Sequence, residues 1–228
     1  MRIAELFYSL QGEGSLVGVP SFFIRTSGCN LRCAWCDTPY TSWRPEGTDL
    51  PIEQILDEWR AHAARHVVVT GGEPMIAPEI VPLTYRLRNA GAHITIETAG
   101  TVAPPVACDL MSISPKLANS TPPASGPEAA WAARHERLRL QPHVLAELMS
   151  RYEYQLKFVV QNRVDLEEIR GLVRDLGAPA ARVILMPEGI TAEVLRERSL
   201  WIAEACKEEG FRYSPRLHVD LYGNRRGI

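Results

Sequence analysis

The chain has 228 residues, of which 46% are hydrophobic and 23% charged, a composition typical of a soluble globular protein that buries a substantial core. Its 25 basic and 27 acidic side chains leave a formal net charge of −2, which argues against a nucleic-acid backbone or an anionic membrane as partner. With neither a secretory leader nor a run of about eighteen apolar residues, the sequence predicts a single domain over residues 1–228 that works in the cytoplasm on a small molecule.

The first half of the chain alternates short apolar runs with helical patterns. A helix is predicted between Asp49 and His62, and a second one, marked by Ile80 and Leu87, is expected to end around Gly91. Strands are predicted over 2–8, 21–26, 67–69, 93–97 and 109–114.

The second half opens with a stretch, residues 115–141, that shows no clear period and is predicted to be irregular, with a Pro- and Ser-rich loop at 120–127. Beyond it, Asp165 and Thr191 are predicted to cap helices, and Gly177 to end the first of these two. The remaining predictions are a helix around 144–149, strands over 154–160 and 182–186, and one or two extended pieces within 211–221.

Strands that alternate with helices predict a parallel sheet with right-handed crossovers. We count about six strand–helix steps, fewer than the eight of a closed barrel. The sequence therefore predicts an α/β fold.

Three cysteines, Cys29, Cys33 and Cys36, follow the second predicted strand at a C-x3-C-x2-C spacing. Thiolates are soft ligands that select iron–sulfur clusters, zinc or Cu(I). A structural zinc site needs four protein ligands, so zinc would have to recruit a distant residue such as Cys108. Three cysteines favour a [4Fe–4S] cluster with one iron open to a small molecule, and a non-catalytic zinc module is the alternative. Cys108 and Cys206 are expected to be buried small hydrophobes.

Three further motifs lie where predicted strands end, at the edge of a parallel sheet where functional sites gather. They are Thr70-Gly71-Gly72-Glu73-Pro74, Glu97-Thr98 and Ser114-Pro115-Lys116. Arg25 lies within an apolar strand, where an unpaired charge is costly. Its planar guanidinium suits a bidentate pair with a carboxylate.

Together with Leu10–Gly14, Phe23–Gly28, Asp37-Thr38 and Glu97–Thr101, the cysteine spacing resembles the 7-carboxy-7-deazaguanine synthase family of the radical S-adenosylmethionine (SAM) superfamily. The resemblance runs from about Ile3 to the C-terminus. It implies an open partial (β/α)6-like barrel of mostly parallel strands, with the cluster loop after an early strand.

The resemblance also implies an activity, that of a carbon–nitrogen lyase in queuosine and 7-deazapurine biosynthesis. In this family 6-carboxy-5,6,7,8-tetrahydropterin becomes 7-carboxy-7-deazaguanine with loss of ammonia. SAM is used catalytically, since its 5′-deoxyadenosyl radical takes a hydrogen atom from the pterin and returns it after ring contraction. The reaction depends on Mg²⁺ and on an external, flavodoxin-like one-electron reductant, and we expect a homodimer.

The resemblance assigns roles to individual residues. Cys29, Cys33 and Cys36 would ligate the [4Fe–4S] cluster, and Thr38 would bind Mg²⁺, with Asp37 as the alternative. Contacts to SAM are assigned to Trp35, Gly72, Glu97, Ser114, Pro115 and Lys116, and contacts to the substrate to Leu10, Gln11, Gly12, Arg25 and Thr70.

Other parts of the chain carry weaker expectations. Glu73 is expected to support the glycine motif, and a packing role for Trp35 stays open. The basic tail Tyr222–Ile228 is expected to fold over the mouth of the pocket. The nearest rival function is a glycyl-radical activase of the same superfamily, which would need a groove for a polypeptide.

Overall fold

The computed structural model describes residues 1–228 and contains one nine-stranded sheet in the order β3-β1-β2-β4-β5-β6-β7-β8-β9. The strands are β1 Arg2–Leu10, β2 Pro20–Thr26, β3 Thr48–Asp49, β4 His66–Gly71, β5 His93–Thr98, β6 Leu110–Ile113, β7 Tyr154–Val160, β8 Val183–Pro187 and β9 Arg212–Tyr213. The helices are α1 Ile52–Ala61, α2 Ile80–Asn89, α3 Ala129–Leu138, α4 Pro142–Arg151, α5 Asp165–Leu176, α6 Ala192–Glu209 and α7 Leu217–Tyr222.

Every neighbouring pair from β2 to β9 is parallel, whereas β1 pairs antiparallel with both β2 and β3 at one edge. The sheet does not close on itself, because β3 and β9 lie at opposite ends of the strand order. The predicted open partial barrel of mostly parallel strands is therefore confirmed.

The two faces of the sheet differ sharply in polarity. On the outer face, apolar side chains such as Ile24, Val69 and Ile96 join the main core, to which α1, α2, α4, α5 and α6 also contribute. On the inner face, only Phe7, Phe23 and Val68 form a separate small apolar cluster. Because successive side chains of a strand point to opposite faces, the same strands build a dry core and a polar inner surface.

Three predicted helix ends can be compared with the structure. Gly177 ends α5 in the left-handed conformation with φ 63°, and the Thr191 hydroxyl accepts a hydrogen bond from Val194 N, so both predictions are confirmed. Asp165 is not the N-cap, which is Val164. Its carboxylate instead accepts from Gln161 N at 2.7 Å and so stabilises the turn before the helix.

Two stretches were predicted wrongly. Residues 115–141 are not irregular throughout, because α3 occupies 129–138. His135 is the only buried side chain of α3, so the helix lacks the apolar stripe that would mark it in the sequence. Residues 211–221 are not simply extended, since the two-residue β9 is followed by α7. None of the helices combines the length and the apolar character needed to cross a bilayer.

Candidate active site

A cleft of about 1490 Å³, open mouth included, lies on the inner face of the sheet at the carboxyl ends of the parallel strands. Fourteen of the fifteen predicted site residues line it. Pro115, the remaining one, is buried and does not line the cleft. The motifs that follow separate strands in the sequence thus meet in one cavity.

A row of polar side chains crosses the inner face of the sheet. Arg25 of β2 is in register with Thr70 of β4, and Glu97 of β5 with Ser112 of β6, which is in register with Gln155 of β7. Two of the neighbouring pairs are hydrogen-bonded, since Thr70 Oγ1 donates to Glu97 Oε2 at 2.8 Å and Gln155 Nε2 donates to Ser112 Oγ at 2.8 Å. The row gives the cleft a polar floor.

The cysteine loop follows β2 at the same edge, and its three thiols are free and line the cleft. Leu31 N donates to Cys29 Sγ at 3.4 Å, and Cys36 Sγ lies 3.2 Å from Ser42 Oγ. Burial raises the pKa of Cys29 and of Cys33 to about 12. These thiols would ionise only beside a strong cation, and a coordinating metal deprotonates a thiol outright. Three thiols that line one cleft are the type and number of donors that a [4Fe–4S] cluster with an open iron takes.

Trp35 borders the cleft next to the last cysteine of the loop. Its indole Nε1 donates to the Asn119 carbonyl oxygen at 3.1 Å, so the buried polar edge of the ring is satisfied. The Lys116 Nζ lies 5.9 Å from the ring centroid and donates to Ser114 Oγ at 2.8 Å. The lysine motif and the cysteine loop therefore meet at Trp35.

The two glycines at the end of β4, Gly71 and Gly72, are required by close backbone packing. A Cβ on Gly72 would lie 2.2 Å from the Gly28 oxygen, and a Cβ on Gly71, which has φ +136°, would lie 2.2 Å from the Thr26 oxygen. The glycine motif thus packs directly against the start of the cysteine loop. This contact places the Gly72 backbone at the wall of the cleft.

Glu73 is buried directly behind Gly72. Burial raises the pKa of its carboxyl group, and hydrogen bonds oppose that shift. Its oxygens accept from Thr98 Oγ1 and Ala99 N, both at 2.8 Å, and from Met75 N at 3.1 Å. Glu73 therefore joins the loops after β4 and β5, as a supporting residue would.

Glu97, predicted to contact SAM, and Gln11 and Thr70, predicted to contact the substrate, form one hydrogen-bonded group. Gln11 Nε2 donates to Glu97 Oε1 at 3.1 Å, while Thr70 takes the other carboxylate oxygen. The two predicted sets of ligand contacts are therefore adjacent.

Arg25 is held from one side by Glu5 of β1. Its Nε donates to Glu5 Oε2 at 2.7 Å, and the Tyr40 hydroxyl donates to the same oxygen at 3.0 Å. Because Nε takes this contact, the two Nη groups stay available for a ligand carboxylate in the cleft.

Asp37 and Thr38 leave the cysteine loop together but have different partners. The Asp37 carboxylate accepts from buried Arg216, so it is already paired with a cation. The Thr38 hydroxyl lines the cleft and lies 3.4 Å from Thr41 Oγ1. Of the two candidate magnesium ligands, Thr38 is therefore the one whose oxygen is not committed to an ion pair.

A buried group of charges on the cleft wall was not predicted from the sequence. Glu13 accepts from Lys157 and, at 3.1 Å, from Arg216 Nε. Burial alone would raise the pKa of Glu13, but these two cations outweigh it and hold the pKa well below its usual range. His218 lies against Gly12, where a Cβ would come within 2.0 Å of its Nδ1.

Of these residues, only Lys157 could have been recognised in the sequence. It lies in an apolar strand between Leu156 and Phe158, both of which are buried. A charged residue at alternate positions of an apolar strand indicates the side that faces a polar cavity. Arg216 and His218 left no comparable pattern, because they lie in the stretch that was predicted to be extended.

The C-terminal tail reaches the mouth of the cleft, where Asn224, Arg225 and Ile228 belong to its lining. Arg226 Nε donates to Glu5 Oε1 at 3.1 Å, its Nη1 donates to Glu46 Oε2 at 3.0 Å, and its guanidinium lies 3.7 Å from the Tyr40 ring centroid. The tail is therefore tied to the carboxylate that also holds Arg25.

Known proteins resemble this chain at two levels. It is similar to a superfamily and, within that superfamily, to one kind of enzyme. The model of the radical SAM superfamily matches residues 23–117. A 7-carboxy-7-deazaguanine synthase of Rhodopirellula baltica is 49% identical over 228 residues, which cover 100% of this chain and 88% of that protein. The enzyme of the same name from Halobacterium salinarum is 45% identical over 98% of this chain and 91% of its own length.

Solved structures show the same likeness. The crystal structure of QueE from Escherichia coli aligns with a TM-score of 0.69 at 29% identity, over 95% of this chain and 94% of that one. Streptococcus suis SuiB, solved with its precursor peptide SuiA, aligns with a TM-score of 0.56 over 85% of this chain and 47% of its own, and at 12% identity shares only the fold.

Proposed function

Because the chain belongs to the 7-carboxy-7-deazaguanine synthase family of radical SAM enzymes, we propose that it converts 6-carboxy-5,6,7,8-tetrahydropterin into 7-carboxy-7-deazaguanine with loss of ammonia. The observation that carries the proposal is one cleft lined both by three free cysteines and by Arg25, in a chain that aligns with its relatives over its full length. The same observation favours this enzyme over a zinc module or an activase.

In this proposal Cys29, Cys33 and Cys36, which line the cleft, would hold a [4Fe–4S] cluster. Lys116 offers a point charge to the SAM carboxylate, and the Gly72 backbone, Ser114, Glu97 and Trp35 line the rest of the SAM site. When bound, the reduced cluster and SAM would supply the carbon radical that takes a substrate hydrogen and later returns it.

The substrate lies between β1, β2 and the C-terminal segment in this proposal. Arg25 pairs with the substrate carboxylate through its two Nη groups, while Glu5 fixes the direction of the guanidinium. Gln11 and Thr70, both held by Glu97, frame the ring from the adjacent strands, with Leu10 and Gly12 beside them. This arrangement would hold the reacting carbon close to the cofactor and keep it there.

In this proposal the Thr38 hydroxyl would hold Mg²⁺. Mg²⁺ keeps several waters and takes few protein ligands, so one hydroxyl completed by substrate oxygens and water suffices. The pairing of Asp37 with Arg216 supports Thr38 as the ligand. The metal would orient the substrate and stabilise negative charge on its oxygens.

Partners and location complete the proposal. An external one-electron reductant, of the flavodoxin type, would reduce the cluster, and two chains would form a homodimer. We place the enzyme in the cytoplasm, where thiols stay reduced and available for iron.

The test is turnover of the carboxytetrahydropterin by anaerobically reconstituted protein, with SAM and reductant, in the presence and absence of Mg²⁺. We expect deazaguanine product with Mg²⁺, little without it, and about four irons per chain. Replacing all three cysteines by alanine is the control that should remove both iron and turnover. A brown, iron-loaded protein that forms no deazaguanine product would refute this reaction while leaving the cluster assignment standing.

A further inference from the structure

His135 of α3 contacts the cysteine loop from outside the cleft. It is fully buried, although α3 has no other buried residue. Its Nδ1 accepts a hydrogen bond of 3.1 Å from Arg32 N, inside the loop, and its Nε2 lies 2.9 Å from Ser120 Oγ. It does not line the cleft.

The neighbouring contacts determine which nitrogen of His135 carries the proton. Arg32 N can only donate, so Nδ1 must be the unprotonated acceptor. Ser120 Oγ donates to the Leu117 oxygen at 2.6 Å and must therefore accept from Nε2–H. Burial, with Arg139 nearby, lowers the pKa of His135 to about 4, in agreement with a neutral ring.

Ser120, which contacts His135, also binds the backbone amide on the other side of Cys33. Ala34 N donates to the Ser120 carbonyl oxygen at 2.9 Å, and the Cys33 oxygen accepts from Trp43 Nε1 at 3.0 Å. The backbone is thus fixed before, at and after the middle cysteine. Hydrogen bonds from N–H groups to cluster sulfurs tune the reduction potential of an iron–sulfur centre, and here the amide of Arg32 is directed to an imidazole instead.

We propose that His135 is a positioning residue for the cluster loop: its neutral Nε2–H tautomer holds the Arg32 amide, and thereby orients Cys33 and keeps that amide away from the cluster. The proposal rests on the proposed function only in taking Cys33 as a cluster ligand. The hydrogen bond itself can be tested without the cluster.

The test compares His135→Phe, which keeps a buried ring and lacks the acceptor, with His135→Gln, whose amide can both accept from Arg32 N and donate to Ser120 Oγ. In apoprotein we expect the Arg32 amide to exchange about five- to tenfold faster in the Phe variant and to recover in the Gln variant. After reconstitution we expect a higher reduction potential and an altered EPR spectrum for the Phe variant, and near wild-type values for the Gln variant.

Trp131 supplies the matched control, because it lies on the same helix and contacts the same loop residue. Its ring lies 4.2 Å from the Arg32 guanidinium, so Trp131→Leu loosens α3 without touching the Arg32 amide. We expect this variant to keep the wild-type potential and Arg32 amide exchange. If the potential and the Arg32 amide exchange of Trp131→Leu changed as much as those of the Phe variant, His135 would serve only to dock the helix. That result would overturn the proposal.

Two results would refute the proposal, and the first of them needs only the wild-type protein. One is a ¹⁵N spectrum of wild-type apoprotein in which His135 Nδ1 carries the proton. The other is a folded Phe variant whose Arg32 exchange, potential and EPR spectrum all match the wild type. Absence of any cluster in wild-type protein would instead count against the proposed function, while the apoprotein measurements would still decide whether His135 holds Arg32.

Discussion

Arg25 shows how one residue can be prepared for a ligand before the ligand arrives. Its strand places it at the edge of the cleft, and Glu5 takes its Nε. The guanidinium is thereby kept from rotating, so less conformational entropy is lost when the two Nη groups bind a carboxylate.

Replacing Arg25 by lysine should therefore cost more than the unchanged charge implies. A lysine offers a point charge in place of a planar fork, and the bidentate pair is lost. We expect kcat/KM for the carboxytetrahydropterin to fall about 10- to 100-fold, mainly through KM. Steady-state kinetics measures this, with iron content and SAM binding as the properties that should not change. An unaltered KM would mean that Arg25 does not bind the carboxylate.

Thr38 allows a test of the metal in isolation. Thr38→Val keeps the shape and removes the hydroxyl, whereas Thr38→Ser keeps the hydroxyl. We expect the Val variant to lose most of its activation by Mg²⁺ while it retains its iron, and the Ser variant to be activated nearly as the wild type is. Activation curves against Mg²⁺ concentration measure the difference. Equal activation of both variants would move the metal site elsewhere.

Glycine substitutions test the packing between elements. Gly72→Ala would place a methyl group 2.2 Å from the Gly28 oxygen, where backbone faces backbone and neither yields easily. We expect about 1–3 kcal/mol of destabilisation and weaker cluster binding, because the cysteine loop begins at that contact. Thermal unfolding and iron content measure the two effects.

Gly171→Ala is the control of opposite sign. Gly171 lies within α5, and a Cβ there would meet its nearest atom at 3.9 Å. Since alanine favours a helix over glycine by about 1 kcal/mol, this variant should be slightly more stable than the wild type. A stable Gly72→Ala variant with full iron content would show that the loops can separate without consequence.

The elements that the sequence predicted well are those whose stability comes from apolar burial. Strands β2 and β4 were predicted because short continuous apolar runs mark them, and α5 because it combines an apolar stripe with a terminal glycine. Helix α3 was missed because it docks through His135 and Trp131 instead of an apolar stripe. Periodicity detects burial of apolar area, and it does not detect a helix held by hydrogen bonds and stacking.

The residues of the candidate site also fall into a group that the sequence predicted and a group that it did not. Residues in strand-end motifs were found because parallel strands bring their carboxyl ends together whatever the details of packing. The charged group on the cleft wall was missed because its members are joined across 144 residues, from Glu13 to Lys157, and across 203, from Glu13 to Arg216. Only the complete fold brings these charges together. An isolated Lys or Arg in the sequence carries no record of its partner.

At the scale of the whole molecule, the two ends of the chain meet at the mouth of the cleft. Glu5 of the first strand binds both Arg25 and, through its other oxygen, Arg226 of the tail. Gly12 O accepts from Leu217 N at 2.9 Å, so α7 also docks on the N-terminal segment. The N-terminal strand and the C-terminal tail thus enclose the side of the cleft where the substrate is proposed to bind.

Deleting residues 223–228 tests whether this closure matters for the reaction. Arg226 is half exposed, and surface ion pairs contribute little stability, so we expect the unfolding temperature to change by only a few degrees. With the mouth open, we expect a higher KM for the pterin and more 5′-deoxyadenosine released per product formed, because water and reductant reach the reactive site.

Arg226→Gln, which removes the contacts to Glu5 and Glu46 and keeps the chain length, should show part of the same effect. Lys207→Gln removes an exposed pair with Glu204 on α6 and should show none of it. Turnover and product ratio that are unchanged in the truncated enzyme would remove the tail from the mechanism and leave α7 as the last element the site needs.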